Sequence, residues 1–287
     1  MPRPILSWMP VRFIPDVVES KTLTTEDWLN RAPDFGFRFI DLHSSFLGGR
    51  STGEVDSIAE CIDDLGLTVS MLSCLLDLTD PELSARRRRM TQMELNVEIA
   101  HRLGARMLML APGPRHPDIS DEYAISLIED TLLGLSEFAS PLEVRLALGN
   151  FQQVDGHSKS PGFAASTEVF LKLFERVQTL PVRIDLDCSS PLLMNEDPIR
   201  LLQAVRERVG SVHASDRRAG ESQYTVIGEG SVPFDRVFKK LAEVEFSGNI
   251  SVVDGSPDGD EGLRRSVEFL SRMIDEHWPV PAAERTV

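Results

Sequence analysis

The chain has 287 residues and a formal net charge of −15. Hydrophobic residues make up 41% and charged residues 26%, the balance of a chain that buries a core. A chain this acidic lacks the basic footprint that neutralises phosphates, which excludes nucleic acid as an expected partner.

A short apolar run followed by a longer amphipathic stretch recurs about eight times, the pattern of βα units around a parallel sheet. The first strand is expected at Ile5–Met9, with a helix near Thr25–Pro33 opened by Thr24 or Thr25 and the acidic Glu26 and Asp27. The second strand, Phe37–His43, leads to a helix near Gly53–Leu65. The third, Thr68–Cys74, leads to a helix from Pro81 to Leu103. In that helix Arg86–Arg89 reads as a solvated face pairing with Glu82 and Glu94.

The fourth strand, Arg106–Ala111, precedes a helix over Asp121–Ala139. The fifth, Arg145–Gly149, precedes a long loop and then a helix near Thr167–Val177. The sixth, Val182–Asp187, precedes a helix near Pro198–Arg208; the seventh, Gly210–Ala214, precedes one near Phe234–Val244. The eighth, Asn249–Val253, is followed by a last helix over Glu261–His277.

The expected architecture is therefore α/β: a single (β/α)8 TIM barrel, parallel and eight-stranded, over residues 1–278. Residues 279–287 form a tail, and Trp278 belongs to its frayed start. No run approaches ~18 apolar residues, so no membrane span is expected. No apolar stretch behind Met1 reads as a secretory signal. Cys61, Cys74 and Cys188 are odd in number and lack CxxC spacing, which suits reduced thiols in a cytoplasmic protein.

Active sites of such barrels lie at the C-terminal ends of the strands. With side chains alternating along a strand, Asp41 and His43 share one face of the second strand, Asp185 and Asp187 share one face of the sixth, and His213 ends the seventh. Such residues are costly to bury unless they find hydrogen bonds, a metal or one another. Trp8 stands at the end of the first strand as a candidate pocket wall, and Arg217 and Arg218 follow the seventh as candidates for a carboxylate or phosphate contact. His116 lies in the loop after strand four, and His157 and Lys159 lie in the loop after strand five, where lids occur.

The runs Gly36–His43, Val182–Asp187, His213-Ala214-Ser215-Asp216 and Ile227-Gly228-Glu229-Gly230 resemble the xylose-isomerase-like sugar phosphate isomerase/epimerase superfamily, from about Ile5 to Ile274. The resemblance implies a divalent cation held by a Glu, an Asp, a His and a Glu ending strands five to eight, with the two Glu residues exchanging protons beside a carbonyl. Asp187 and His213 match that pattern; Gly149 and Val253 stand where the two Glu residues belong, and Phe151 stands where a His is common. Asp254 is one residue out of phase with the pocket face. Glu229, Gly228 and Gly230 read as loop-shaping.

The expected protein is a divergent small-molecule enzyme of the isomerase, epimerase or dehydratase type, working on a sugar-like or specialised metabolite. Asp187 and His213 are its catalytic pair, or the remnant of a metal site. Trp8, Asp41, His43, Phe151 and Arg217 line its pocket. The expected cofactor is none, or one weakly bound manganese or magnesium ion. The partner is a small molecule, with no nucleic acid and no membrane, and a homo-oligomer is left open. The alternative is a non-catalytic chain that binds a ligand or supports a partner subunit.

Overall fold

A computed structural model describes residues 2–48, 52–151 and 162–279. Eight strands close into a parallel barrel in chain order. They are β1 (Ile5–Met9), β2 (Phe39–His43), β3 (Thr68–Cys74), β4 (Met107–Leu110), β5 (Arg145–Gly149), β6 (Val182–Asp187), β7 (Val209–Ala214) and β8 (Asn249–Val253). Five residue pairs from Ile5↔Asn249 to Met9↔Val253 close the ring between β1 and β8.

The helices are α1 (Thr25–Leu29), α2 (Thr52–Asp64), α3 (Leu83–Arg102), α4 (Asp121–Ala139), α5 (Thr167–Val177), α6 (Ser190–Leu193), α7 (Pro198–Val205), α8 (Phe234–Glu243) and α9 (Gly259–His277). Sequence-encoded caps fix several starts: Thr24 and Asp27 form a reciprocal capping box on α1, and the Ser120 and Ser166 side chains accept from the third residue of α4 and α5. The first helix is shorter than expected, because Pro33 and the left-handed Gly36 turn the chain into a separate 3-10 turn, Ala32–Phe35. Likewise α7 stops at Val205 and passes into a 3-10 turn over Arg206–Arg208.

The main core is the shell between strands and helices. Ile40, Leu42, Leu108, Leu110, Leu146, Leu148, Ile184, Leu186, Val212, Ile250 and Val252 point outward into it. Two single-residue bulges set which side chains point inward. The ladder shifts between Ile40 and Asp41 against β3, and between Ile184 and Asp185 against β7, leaving Ser70 and Gly210 as the extra residues. Across each bulge the alternation slips, so Val69 and Leu72, and Val209 and Val212, all face the outer core. Gly210 suits its place because a Cβ there would lie 2.8 Å from the Arg183 Cβ.

Trp278 corrects the expectation of a frayed end. It is buried, its Nε1 donates to the Phe246 carbonyl at 2.9 Å, and its ring packs edge-on against Phe238 at 5.8 Å. The tail from 280 onward, together with His157 and Lys159, lies outside the described residues. In α3, Arg88 faces Glu82 at 3.7 Å, while Arg89 pairs with Asp80 at 3.1 Å. The cysteines carry no disulfide. No helix among the described residues is long and apolar enough to cross a membrane.

Candidate active site

Inside the barrel, β6 to β8 and β1 to β2 contribute Asp185, Ser211, His213, Asn249, Ser251, Ser7 and Asp41, all buried. Burying this many polar groups is tolerable only if they satisfy one another. Ser7 Oγ donates to Asp41, and Asn249 Nδ2 lies 3.2 Å from both Asp41 oxygens. Burial pushes the Asp41 carboxyl up to about 6, against the opposing pull of Ser251, Ser7, His213 and Asn249. Asp41 thus supports the floor of the barrel and is not among the residues that line the pocket, which corrects its expected place.

Above this layer lies a pocket at the C-terminal mouth, about 320 Å³ of empty space with open solvent included. His43, Phe151, Asp187 and His213 line it, as expected, together with Met9, Val11, Ser73, Leu75, Met109 and Val253. Sequence reasoning missed most of that apolar wall, although Met9 follows Ser7 on the inward face of β1.

His213 is the best-defined group. Its Nδ1 lies 2.7 Å from Asp185 Oδ2, and Ser211 Oγ donates to the other Asp185 oxygen. Burial alone would discharge the ring, but Asp185, Asp187 and Asp41 outweigh it and raise the pKa to about 9. At neutral pH His213 is therefore an imidazolium, and its Nε2–H is buried without a partner among the described residues. The partner residue Asp185 was expected on the same face as Asp187, but its pairing with His213 was not read from the sequence.

His43 is the opposite case. Burial and the charge of His213 push its pKa down to about 4, so it is neutral. The Ser45 backbone N–H donates to its Nδ1 at 3.2 Å, which leaves the proton on Nε2. That Nε2–H is also buried and unpartnered among the described residues. Two N–H donors, one cationic and one neutral, therefore face one otherwise apolar pocket.

Asp187 is held hard. Its Oδ1 accepts from Ser189 N at 3.0 Å and Ser190 N at 2.7 Å, while Ser215 Oγ lies 3.0 and 3.1 Å from its two oxygens. Asn150 brackets its backbone, donating to its carbonyl at 3.0 Å and accepting from its N–H at 2.7 Å. Oδ2 keeps the most spare acceptor capacity.

Two further expected pocket residues lie elsewhere. Trp8 faces outward, because Ser7 and Met9 take the inward positions of β1. Its ring stacks on Phe37 at 5.6 Å and meets Trp28 edge-on at 5.8 Å, while its Nε1 donates to Asp254 at 3.2 Å. Asp254, out of phase as expected, is tied to Arg12 at 2.8 Å. Arg217 is buried in the loop after β7, donating to Ser189 Oγ and the Ser222 carbonyl, each at 2.9 Å, with its guanidinium 4.3 Å from the Tyr224 ring centre. It braces the residues around Asp187 and is not among the pocket lining, and Arg218 is exposed. His116 pairs with Asp77 at 2.8 Å.

The signature loop has a mechanical explanation. Asp216 accepts from the backbone N–H groups of Arg217, Gly228, Gly230 and Val232 at 2.9–3.1 Å. A Cβ on Gly230 would stand 2.2 Å from Asp216 Oδ1, so that position admits only glycine. Glu229 points away to Arg265. The two motifs are thus one clasp that fixes the chain following His213.

The four-ligand cation site implied by the resemblance does not fit these residues. Gly149 and Val253 offer no donor. A Cβ on Gly149 would lie 3.2 Å from Met109 Sδ and 3.7 Å from Asp185 Oδ2, so Met109 occupies the space a strand-five carboxylate needs. Asp187 is engaged by backbone and hydroxyl donors, and His213 by Asp185. Among the described residues no group of three or more His, Cys, Asp or Glu could hold a metal ion.

Comparison with known proteins agrees with the fold. An uncharacterised protein of Methanocaldococcus jannaschii is 22% identical over 211 residues, 70% of each chain. The solved structure of IOLI protein with a binding zinc atom superposes with a TM-score of 0.76 at 17% identity, covering 96% of this chain and 99% of that one. The structure of L-ribulose 3-epimerase superposes with a TM-score of 0.73 at 16% identity, covering 96% of each. Residues 29–273 match the family described as xylose isomerase-like TIM barrel, and the chain belongs to that family.

Proposed function

We propose that this chain is a small-molecule enzyme of the isomerase, epimerase or dehydratase type that moves a proton at the carbon next to a carbonyl, with His213 and Asp187 as the reacting pair and no divalent cation in the step. The observation that carries this reading is the His213 imidazolium in the pocket lining, anchored by Asp185 at 2.7 Å, with its Nε2 buried and without a partner among the described residues. A fixed charge in a water-poor site stabilises charge that develops during reaction far better than it would in water.

In the reaction a carbonyl oxygen accepts from His213 Nε2–H and His43 Nε2–H. Asp187 Oδ2 removes the neighbouring proton. The C–H electron pair becomes the C=C bond of an enol, and the oxygen's growing negative charge takes the His213 proton. The enol oxygen then returns its proton to His213 and Asp187 releases its own. Reprotonation of the same carbon from the opposite face, with water as the donor, gives epimerisation. Where that carbon carries a hydroxyl, loss of the hydroxyl proton with protonation of the former carbonyl carbon gives isomerisation. Related structures named as sugar epimerases make this reaction class the natural starting point.

The test is deuterium uptake from solvent at the α-carbon of a panel of carbonyl compounds, using protein stripped with a chelator. The expected result is uptake that survives stripping and falls about 10²-fold or more in His213→Gln. Uptake that needs added manganese, or that persists in His213→Gln, overturns the reading. A second reading, a ligand-binding chain without turnover, is favoured by the donors from Ser189, Ser190 and Ser215 that already hold Asp187 in place. Binding with no uptake would establish that reading.

A further inference from the structure

The pocket combines two histidines, Ser73 and Asp187 with a wall of Met9, Leu75, Met109, Phe151 and Val253, and has no arginine or lysine among its described lining. We infer that its ligand is a neutral, hydroxyl-poor carbonyl compound, a small ketone or lactone, and neither a free sugar nor a phosphorylated or carboxylated one. The inference rests on the proposed function only in placing a carbonyl oxygen at the two histidines.

Three features carry it. The first is the wall. A sugar presents a hydroxyl on nearly every carbon, and each one buried without a partner costs about 1–3 kcal/mol. Against Met9, Leu75, Met109 and Val253 there is nothing for those hydroxyls to bond, and beside them Ser73 Oγ is the one hydroxyl in the described lining. A hydroxyl-free body instead gains from the same surfaces.

The second is charge. Asp41, Asp185 and Asp187 are all buried in or under the site, and the His213 ring is already taken up by Asp185 at 2.7 Å. A carboxylate or phosphate would have to be buried beside three acidic side chains with no free cation among the described lining. The nearby arginines are committed: Arg217 to Ser189 and Ser222, and Arg12 to Asp254 and Asp260. A neutral oxygen needs only donors.

The third is donor count. His43 and His213 both line the pocket, each Nε2 is buried without a partner among the described residues, and a carbonyl oxygen has two lone pairs to offer such donors.

The experiment compares cyclohexanone, fructose, fructose 6-phosphate and 2-oxobutanoate with the whole chain, reading affinity by ligand-observed NMR and α-deuteration in the same tubes. Cyclohexanone should bind at least about tenfold more tightly than the other three, and His213→Gln should abolish that preference. Val253→Thr, nearly isosteric and therefore fit to fold, should narrow the gap between cyclohexanone and fructose by placing a hydroxyl in the wall. Equal or tighter binding of fructose, the phosphate or the oxo acid overturns the inference, while deuteration of any of them dependent on His213 leaves the proposed reaction standing. Cyclohexanone binding without deuteration upholds the ligand class and overturns the reaction. A wild-type protein that binds none of the four at millimolar concentration overturns the ligand class.

Discussion

From β6 round to β2 the barrel interior carries Asp185, Ser211, His213, Asn249, Ser251, Ser7 and Asp41; from β3 to β5 it carries Met71, Met107, Met109 and Ala147. In the first half every charge is held by a neighbouring strand, as Asp41 is by β1 and β8 and Asp185 by β7. In the second half unbranched, adaptable side chains fill the space, and Met109 takes the room beside Gly149. One half therefore sets protonation and the other sets shape. Where the resemblance implies a carboxylate on strand five, this chain has Gly149 with the Met109 thioether beside it.

Substitutions should separate the two halves. The largest effect is expected on turnover from His213→Gln in the polar half, about 10²-fold or more, measured as deuterium uptake by the folded variant. Outside both halves, Trp8→Ala removes the centre of an aromatic cluster and should cost about 3–5 kcal/mol in denaturant unfolding. It should leave the pH profile of any activity unmoved, because Trp8 faces away from the pocket.

In the methionine half, Met109→Ala should cost about 2–4 kcal/mol in the same measurement and widen the accepted ligands, again without moving the pH profile. Asp185→Asn should do the reverse: the pH limb that reports His213 moves downward by about one unit or more, because its strongest anionic partner is gone. The sign follows from linkage. The folded pKa of His213, about 9, lies above its ordinary 6.5. The stability it contributes is complete below pH 6.5 and is lost as pH rises through about 9. That alkaline loss should shrink in Asp185→Asn. The smallest effect is Gly149→Ala, about 1 kcal/mol, since Met109 must yield only a few tenths of an ångström to a new Cβ at 3.2 Å.

The eightfold alternation made the barrel legible, because most strands carry outward Leu, Ile and Val at period two. The same period placed Asp41 with His43 and Asp185 with Asp187 on inward faces. It misled at Trp8, where nearness to the strand end was read without its phase against Ser7 and Met9. It could not show the bulges at Ser70 and Gly210, since one extra residue reverses the phase without changing composition. The pairing of His213 with Asp185 depends on that slip: the backbone register sets His213 beside Asp187, yet its ring reaches the carboxylate two residues earlier. Arg217 was invisible as a brace because its partners Ser189 and Tyr224 come from other segments of the loop layer.

The central claim is the charge of one ring, and nitrogen-15 NMR of His213 across pH tests it directly. The account requires both ring nitrogens to carry protons at pH 7, with titration near 9 in the wild type and lower in Asp185→Asn. A His213 that is already neutral at pH 7, titrating near 6.5 or below, would contradict it.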